Sequence, residues 1–116
     1  MLSLPPSVRI FVSTEPADMR RSFDGLMHLV RDVIGEDPFS GHLFVFCSKK
    51  GDRIKILVWD RSGFWLWYKR LEEGVFRMPK PEGKKAVEID AASLAMILEG
   101  IDPDRAHRYR RFSRVG

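Results

Sequence analysis

The sequence predicts an α+β fold in which an antiparallel meander sheet of four to five strands is packed by two helices. Three observations lead there. The strand-like runs "HLFVF" (42–46), "RIKILVW" (53–59) and "FWLWYKRL" (64–71) follow one another through short, glycine-bearing joints, "CSKKGD" and "DRSG", the pattern of consecutive hairpins. A run of apolar residues at three- and four-residue steps precedes them in "ADMRRSFDGLMHLVRDVIG", and a second follows in "DAASLAMILEGI". With 116 residues the chain can build one core but not two, so the expectation is a single domain over 1–103 and a basic tail over 104–116.

The elements follow in order. "SVRIFVST" is rich in β-branched residues and reads as a first strand over Val8 to Val12. Met19, Phe23, Leu26, Met27, Val30, Val33 and Ile34 then mark one face of a helix, with Thr14 or Asp18 as its cap and Gly35 as its stop. Gly25 interrupts this pattern, and a close approach to the sheet would account for it. "EDPFSG" is a loop by its Asp-Pro and Ser-Gly steps. In the hairpins that follow, Ile54, Ile56 and Val58 alternate with Leu57 and Trp59, and Phe64, Leu66 and Tyr68 alternate with Trp65 and Trp67. Apolar residues on both faces predict central strands covered on both sides, one by the first helix and one by a second helix over 90–101. Asp90 would cap that helix, Leu94, Ile97 and Leu98 form its apolar stripe, and Gly100 ends it. Between the meander and this helix, 77–89 reads as a Pro/Gly loop followed by a short strand.

Several function classes lack their raw material. The longest apolar runs are far shorter than the roughly 20 residues that cross a bilayer, and "MLSLPPSVRI" has no basic region ahead of an apolar stretch. The single cysteine, Cys47, cannot form an internal disulfide and suits a reducing cytoplasm as a small core residue. His28, His42 and His107 are scattered and there is no Cys-x-x-Cys, so no metal ligand set and no cofactor are expected, nor is a phosphate-binding glycine motif present. A Cys47–His nucleophilic pair would need the thiol to leave its apolar run. A magnesium-dependent nuclease could be imagined from Asp60, Glu82 and Lys84, but Asp60 fits a turn residue in "DRSG" and "PEGKK" a solvated loop.

Charge is blocked along the chain. Residues 48–86 hold eleven basic and five acidic groups and 105–116 hold five basic and none acidic, while 87–104 hold five acidic and none basic. Such blocks suit a polyanion-binding surface as well as a solvated face. The candidate phosphate contacts are Lys49, Lys50, Arg53 and Lys55 at one hairpin end, and Arg61, Lys69 and Arg70 in the next hairpin. Arg105, Arg108, Arg110, Arg111 and Arg114 interleave with Tyr109 and Phe112 as in an arginine-rich arm. The tryptophans fit a core or a protein interface better than a base-stacking platform, and Trp65 and Trp67 are the candidate interface residues, with a homodimer or a partner protein as occupant.

The strings "STEPADMRRSFDGLMHLV" (13–30), "DPFSGHLFVFCSKKGDRIKILVWDRSGFWLWYKRLEEGVFRMP" (37–79) and "LEGID" (98–102) closely resemble the TnpB-like accessory proteins of insertion sequence family sixty-six, over about residues 8–102. Two positions depart from that pattern: Cys47 stands where a polar or basic residue is expected, and Met78 where a tryptophan is usual. The resemblance implies a bacterial mobile-element protein encoded beside a separate transposase and needed for efficient transposition. It carries over no catalytic residue, since the acidic triad of the recombinase is expected on the large partner. The reading is a non-catalytic accessory protein that binds element DNA, the transposase or both. A pure adaptor to the transposase is the alternative.

Overall fold

Apolar residues at alternating positions of "IFVS", "LFVFC" and "RIKILVW" carry side chains to both faces of any strand they form, so a sheet made from them must be covered twice. The computed structural model, which describes residues 5–101, has this arrangement. Five strands, β1 (Ile10–Ser13), β2 (Leu43–Cys47), β3 (Arg53–Asp60), β4 (Gly63–Arg70) and β5 (Ala86–Ile89), form one open sheet in the order β4-β3-β2-β1-β5. β2, β3 and β4 are the expected antiparallel meander. β1 lies parallel to β2, and β5 runs antiparallel to β1 at the far edge.

One face carries Phe11, Phe44, Phe46 and Leu57 and is closed by Leu26 and Val30 of the first helical segment. That segment is α1 (Phe23–Leu29), continued by a wider π turn over Val30–Ile34 that Gly35 ends in a left-handed conformation. The helix starts later than its periodicity predicts. Met19 precedes it in a turn where Asp18 accepts from the Arg20 amide at 2.9 Å, and Ser22 takes the cap position. Gly25 does not approach the sheet: a Cβ there would meet the Arg21 side chain at 3.1 Å. The glycine therefore admits the stem of Arg21, whose guanidinium donates to the Gly25 carbonyl.

The other face carries Ile10, Val12, Leu43, Val45, Ile54 and Ile56, closed by Leu94 and Ile97 of α2 (Ala91–Leu98). Asp90 caps α2 by accepting from the Ser93 amide at 2.8 Å, and the Gly100 and Ile101 amides close its last turn on Ile97 and Met96. Among the described residues no helix is long and apolar enough to cross a membrane.

The expectation that both tryptophan-bearing strands are central fails for β4. β3 is internal and its residues 54–57 are buried, but β4 is the sheet's outer strand, with Trp65 59% and Trp67 47% exposed. The helices close the core over β1, β2 and β3, and β4 meets them only along its inner margin, as where Lys69 reaches Leu98. Trp59, by contrast, is packed edge-on to Phe39 and Phe64, with ring centroids 5.1 Å away in each case.

Candidate functional site

The strand registers decide which cations share a surface. Ser13 pairs with Ala86, Cys47 with Ile54 and Arg53 with Arg70, so these residues mark one end of the sheet. The β2–β3 turn with Lys49 and Lys50 leaves the sheet there, as do the segments after β4 and before β5. Arg61 sits in the β3–β4 turn at the other end, roughly 24 Å away along an eight-residue hairpin. There it has a positive φ of 43°, a value that its neighbours in "DRSG" impose through the tight turn.

The β2–β3 turn is held in place. The Phe76 amide donates to the Gly51 carbonyl at 2.7 Å and the Leu71 amide to the Asp52 carbonyl at 2.8 Å. These bonds fold the chain after β4 back beneath the turn, and they bring Arg77 and Lys80 to the side of a hollow of about 500 Å³ that faces Lys49 and Lys50. Its apolar floor is presented by the partly exposed Val75, Met78 and Ile89, which lie over the buried Phe76, Cys47 and Ile97. Among the described residues none of these four cations belongs to an ion pair, whereas Lys85 nearby is engaged by Glu15 at 2.7 Å. The sequence does not single out Arg77 and Lys80. Their only signal there is membership of the basic block 48–86, because the fold-back that places them depends on two backbone bonds.

The remaining candidates have partners of their own. Lys69 donates to the carbonyl of Leu98 at 2.6 Å, at the C-terminus of α2. Arg70 pairs with Glu72 at 3.1 Å, and Arg53 reaches the Tyr68 hydroxyl at 3.4 Å. Lys55, grouped with the surface cations by sequence proximity, is only 6% exposed: its ammonium donates to the carbonyl oxygens of Met19 and Arg21 at 2.7 Å each and lies 4.6 Å from the Tyr68 ring centroid. It is a structural residue that pins the turn before α1. Arg105, Arg108, Arg110, Arg111 and Arg114 lie outside the described residues.

Trp65 and Trp67 share the α2 side of β4, since they pair with Val58 and Ile56. The Trp65 indole donates to the Asp60 carboxylate at 3.1 Å, which fixes the ring while leaving its face open. Trp67 forms one wall of a groove of about 250 Å³ whose other walls include Val58, Leu94 and Leu98.

The catalytic constellations considered from the sequence do not assemble. Asp60 lies at the β3–β4 turn, while Glu82 precedes β5 at the opposite end of the sheet and beyond three strand spacings, on the order of 20 Å or more away. Among the described residues no three His, Cys, Asp or Glu side chains are grouped to hold a metal. Burial pushes the Cys47 thiol above its ordinary pKa, against a weaker opposing pull from Lys80. His42 accepts from the Arg9 amide at the other end of β2, His28 is bound to Asp32 at 2.6 Å, and His107 lies outside the described residues.

The geometry thus defines an open α+β sheet with a cationic hollow at one end and bare tryptophans along one edge. Residues 8–108 match the family of IS66 Orf2-like proteins, and the chain belongs to that family, which supports an accessory role in the transposition of an insertion sequence. Two relatives come from Sinorhizobium fredii (strain NBRC 101917 / NGR234). The uncharacterized protein y4jC is 36% identical over 108 residues, covering 93% of this chain and 92% of that protein. The uncharacterized protein y4hO is 36% identical over 116 residues, the whole of both chains. No solved structure matches the chain significantly.

Proposed function

We propose that the protein assists transposition without catalysing it, in the bacterial cytoplasm, by gripping the phosphate backbone of DNA with the cationic end of its sheet. The observation that carries this reading is the convergence of Lys49, Lys50, Arg77 and Lys80 from two separate segments around one hollow, without carboxylate partners among the described residues. Arg53 and Arg70 lie at the same end and extend the surface, and the C-terminal arginines, including Arg108, Arg110 and Arg111, would add an arm to it. Cations distributed this way neutralise phosphates irrespective of base sequence, so binding should be steeply salt-dependent. An electrophoretic shift with duplex DNA tests the proposal. The wild-type chain should retard DNA at low salt, and charge reversal at Lys49, Lys50 and Arg53 should abolish the shift. No retardation by the wild-type chain at low salt would remove the DNA role, and retardation that survives those reversals would remove this surface from it.

A second reading is favoured by a specific observation, the bare edge of β4. Trp65 and Trp67 are large aromatics on a strand whose outer N–H and C=O groups have no partner strand among the described residues, a combination suited to docking another protein. The transposase of the same element is the proposed occupant. Co-purification with the transposase that is lost on replacing Trp65 by alanine, with no salt-steep DNA affinity, would leave a pure adaptor. Self-association through the same edge would instead make it a homodimer contact.

A further inference from the structure

We propose that the hollow beneath the β2–β3 turn is a binding site for one unstacked nucleotide, its phosphate held by the lysine and arginine rim and its base laid on the apolar floor. The inference rests on the DNA reading above and goes beyond it in naming the unit bound. A duplex passing over this end of the sheet would meet only the rim, since its bases are stacked inside and its outer surface is phosphate and sugar. It would leave the apolar floor of Val75, Met78 and Ile89 unused. A lone phosphate would likewise leave most of about 500 Å³ empty. That volume lies within the roughly 300–1,000 Å³ typical of small-ligand clefts, in which an apolar lining takes up the body of the ligand and a few placed charges fix its orientation.

A nucleotide that has left the stack has both parts, a flat ring that gains from apolar contact and a phosphate that gains from cations. The walls are set before any ligand arrives. Phe76 is tied to Gly51 through its amide, so the segment beneath the turn cannot leave it without breaking a backbone hydrogen bond, and the Cys47 carbonyl, accepting from the Ala17 amide at 2.9 Å, holds the adjoining wall. Such preorganisation lowers the ordering cost of binding. The same chemistry could come from a free nucleotide or from the frayed terminal nucleotide of a DNA strand.

The experiment maps backbone amide shifts of the full chain titrated with deoxyadenosine monophosphate and, separately, with inorganic phosphate. The nucleotide should perturb amides at 47–51 and 76–80 together and bind about tenfold tighter than phosphate, which should perturb the rim alone. The double variant Arg77→Glu/Lys80→Glu, with its fold checked in the same spectra, should lose the nucleotide. In a second arm, a duplex carrying a 5′-phosphorylated single-nucleotide overhang is compared with a blunt duplex: tighter binding of the overhang assigns the site to a DNA end, and equal binding with the nucleotide still seated in the hollow assigns it to a free nucleotide. Nucleotide binding no tighter than phosphate, or shifts that fall elsewhere, would overturn the inference. If that happens while blunt duplex still binds and is released by reversal at Lys49 and Lys50, the DNA reading stands without it.

Discussion

The ammonium of Lys55 donates to the carbonyl oxygen of Met19 at 2.7 Å, so a charge on an inner strand holds the irregular turn that leads into α1. With the Arg21 carbonyl and the Tyr68 ring it has a full set of partners, which is how a cation survives burial at this depth. Replacing Lys55 by methionine keeps the stem but leaves both carbonyls without a donor. Urea denaturation should show a loss of about 2–4 kcal/mol, since hydrogen bonds to a charged group are worth more than neutral ones. The DNA salt dependence of the variant, measured where it is folded, should match the wild type.

Gly51 has a φ of +82°, and a Cβ at this position would come within 3.2 Å of the Val75 side chain. Alanine there strains the backbone and pushes on the segment that carries Arg77 and Lys80. Gly51→Ala should lower stability by about 1–3 kcal/mol and weaken DNA binding without removing a charge. Denaturation and anisotropy on the same sample check both effects.

Asp90 caps α2, and hydrogen bonding from the Ser93 side chain and then its amide holds the carboxyl below its ordinary pKa. A depressed folded-state pKa means that the stabilisation is fully present above the unfolded value of about 4 and is lost as pH falls through the lower, folded value. Asp18, drawn down to about 2 by the Arg20 guanidinium and amide, has the same sign. Asp90→Ala should therefore cost about 1 kcal/mol at pH 7. In thermal melts the gap between variant and wild type should close toward pH 2.

Trp65 and Trp67 stand out from the sheet's edge, so their removal should separate stability from association. Trp65→Ala, which truncates a ring that is mostly solvated, should change stability by less than about 1 kcal/mol while reducing capture of the transposase. A large drop in stability with capture intact would make the ring structural instead.

Much of the fold is written in local pattern. The three- and four-residue spacing from Phe23 to Ile34, the glycine-bearing hairpin joints and the Asp90 cap each act within a few residues, and each marks an element the sequence predicts, although the first helix begins only after Met19. The position of β4 is different in kind. Phe64, Leu66, Trp65 and Trp67 make both of its faces apolar, as in a buried strand, but whether another strand lies beyond it is a property of the assembled sheet. Lys55 reads as one more surface cation because its partners, Met19 and Arg21, lie more than thirty residues earlier and act through backbone oxygens that any residue could supply. The same holds for the site. Lys49 and Lys50 stand out by adjacency in a turn, whereas Arg77 and Lys80 join them only because the Phe76 amide finds the Gly51 carbonyl.

The central claim is that the cationic end of the sheet neutralises DNA phosphates, and the most direct measurement is the slope of log affinity against log salt for a DNA duplex. Each phosphate contact contributes a slope of about −0.9, so Lys49→Glu/Lys50→Glu should flatten the wild-type slope by about two and lower the affinity at every salt concentration. An unchanged slope, or no DNA binding by the wild-type chain even at low salt, would contradict the account.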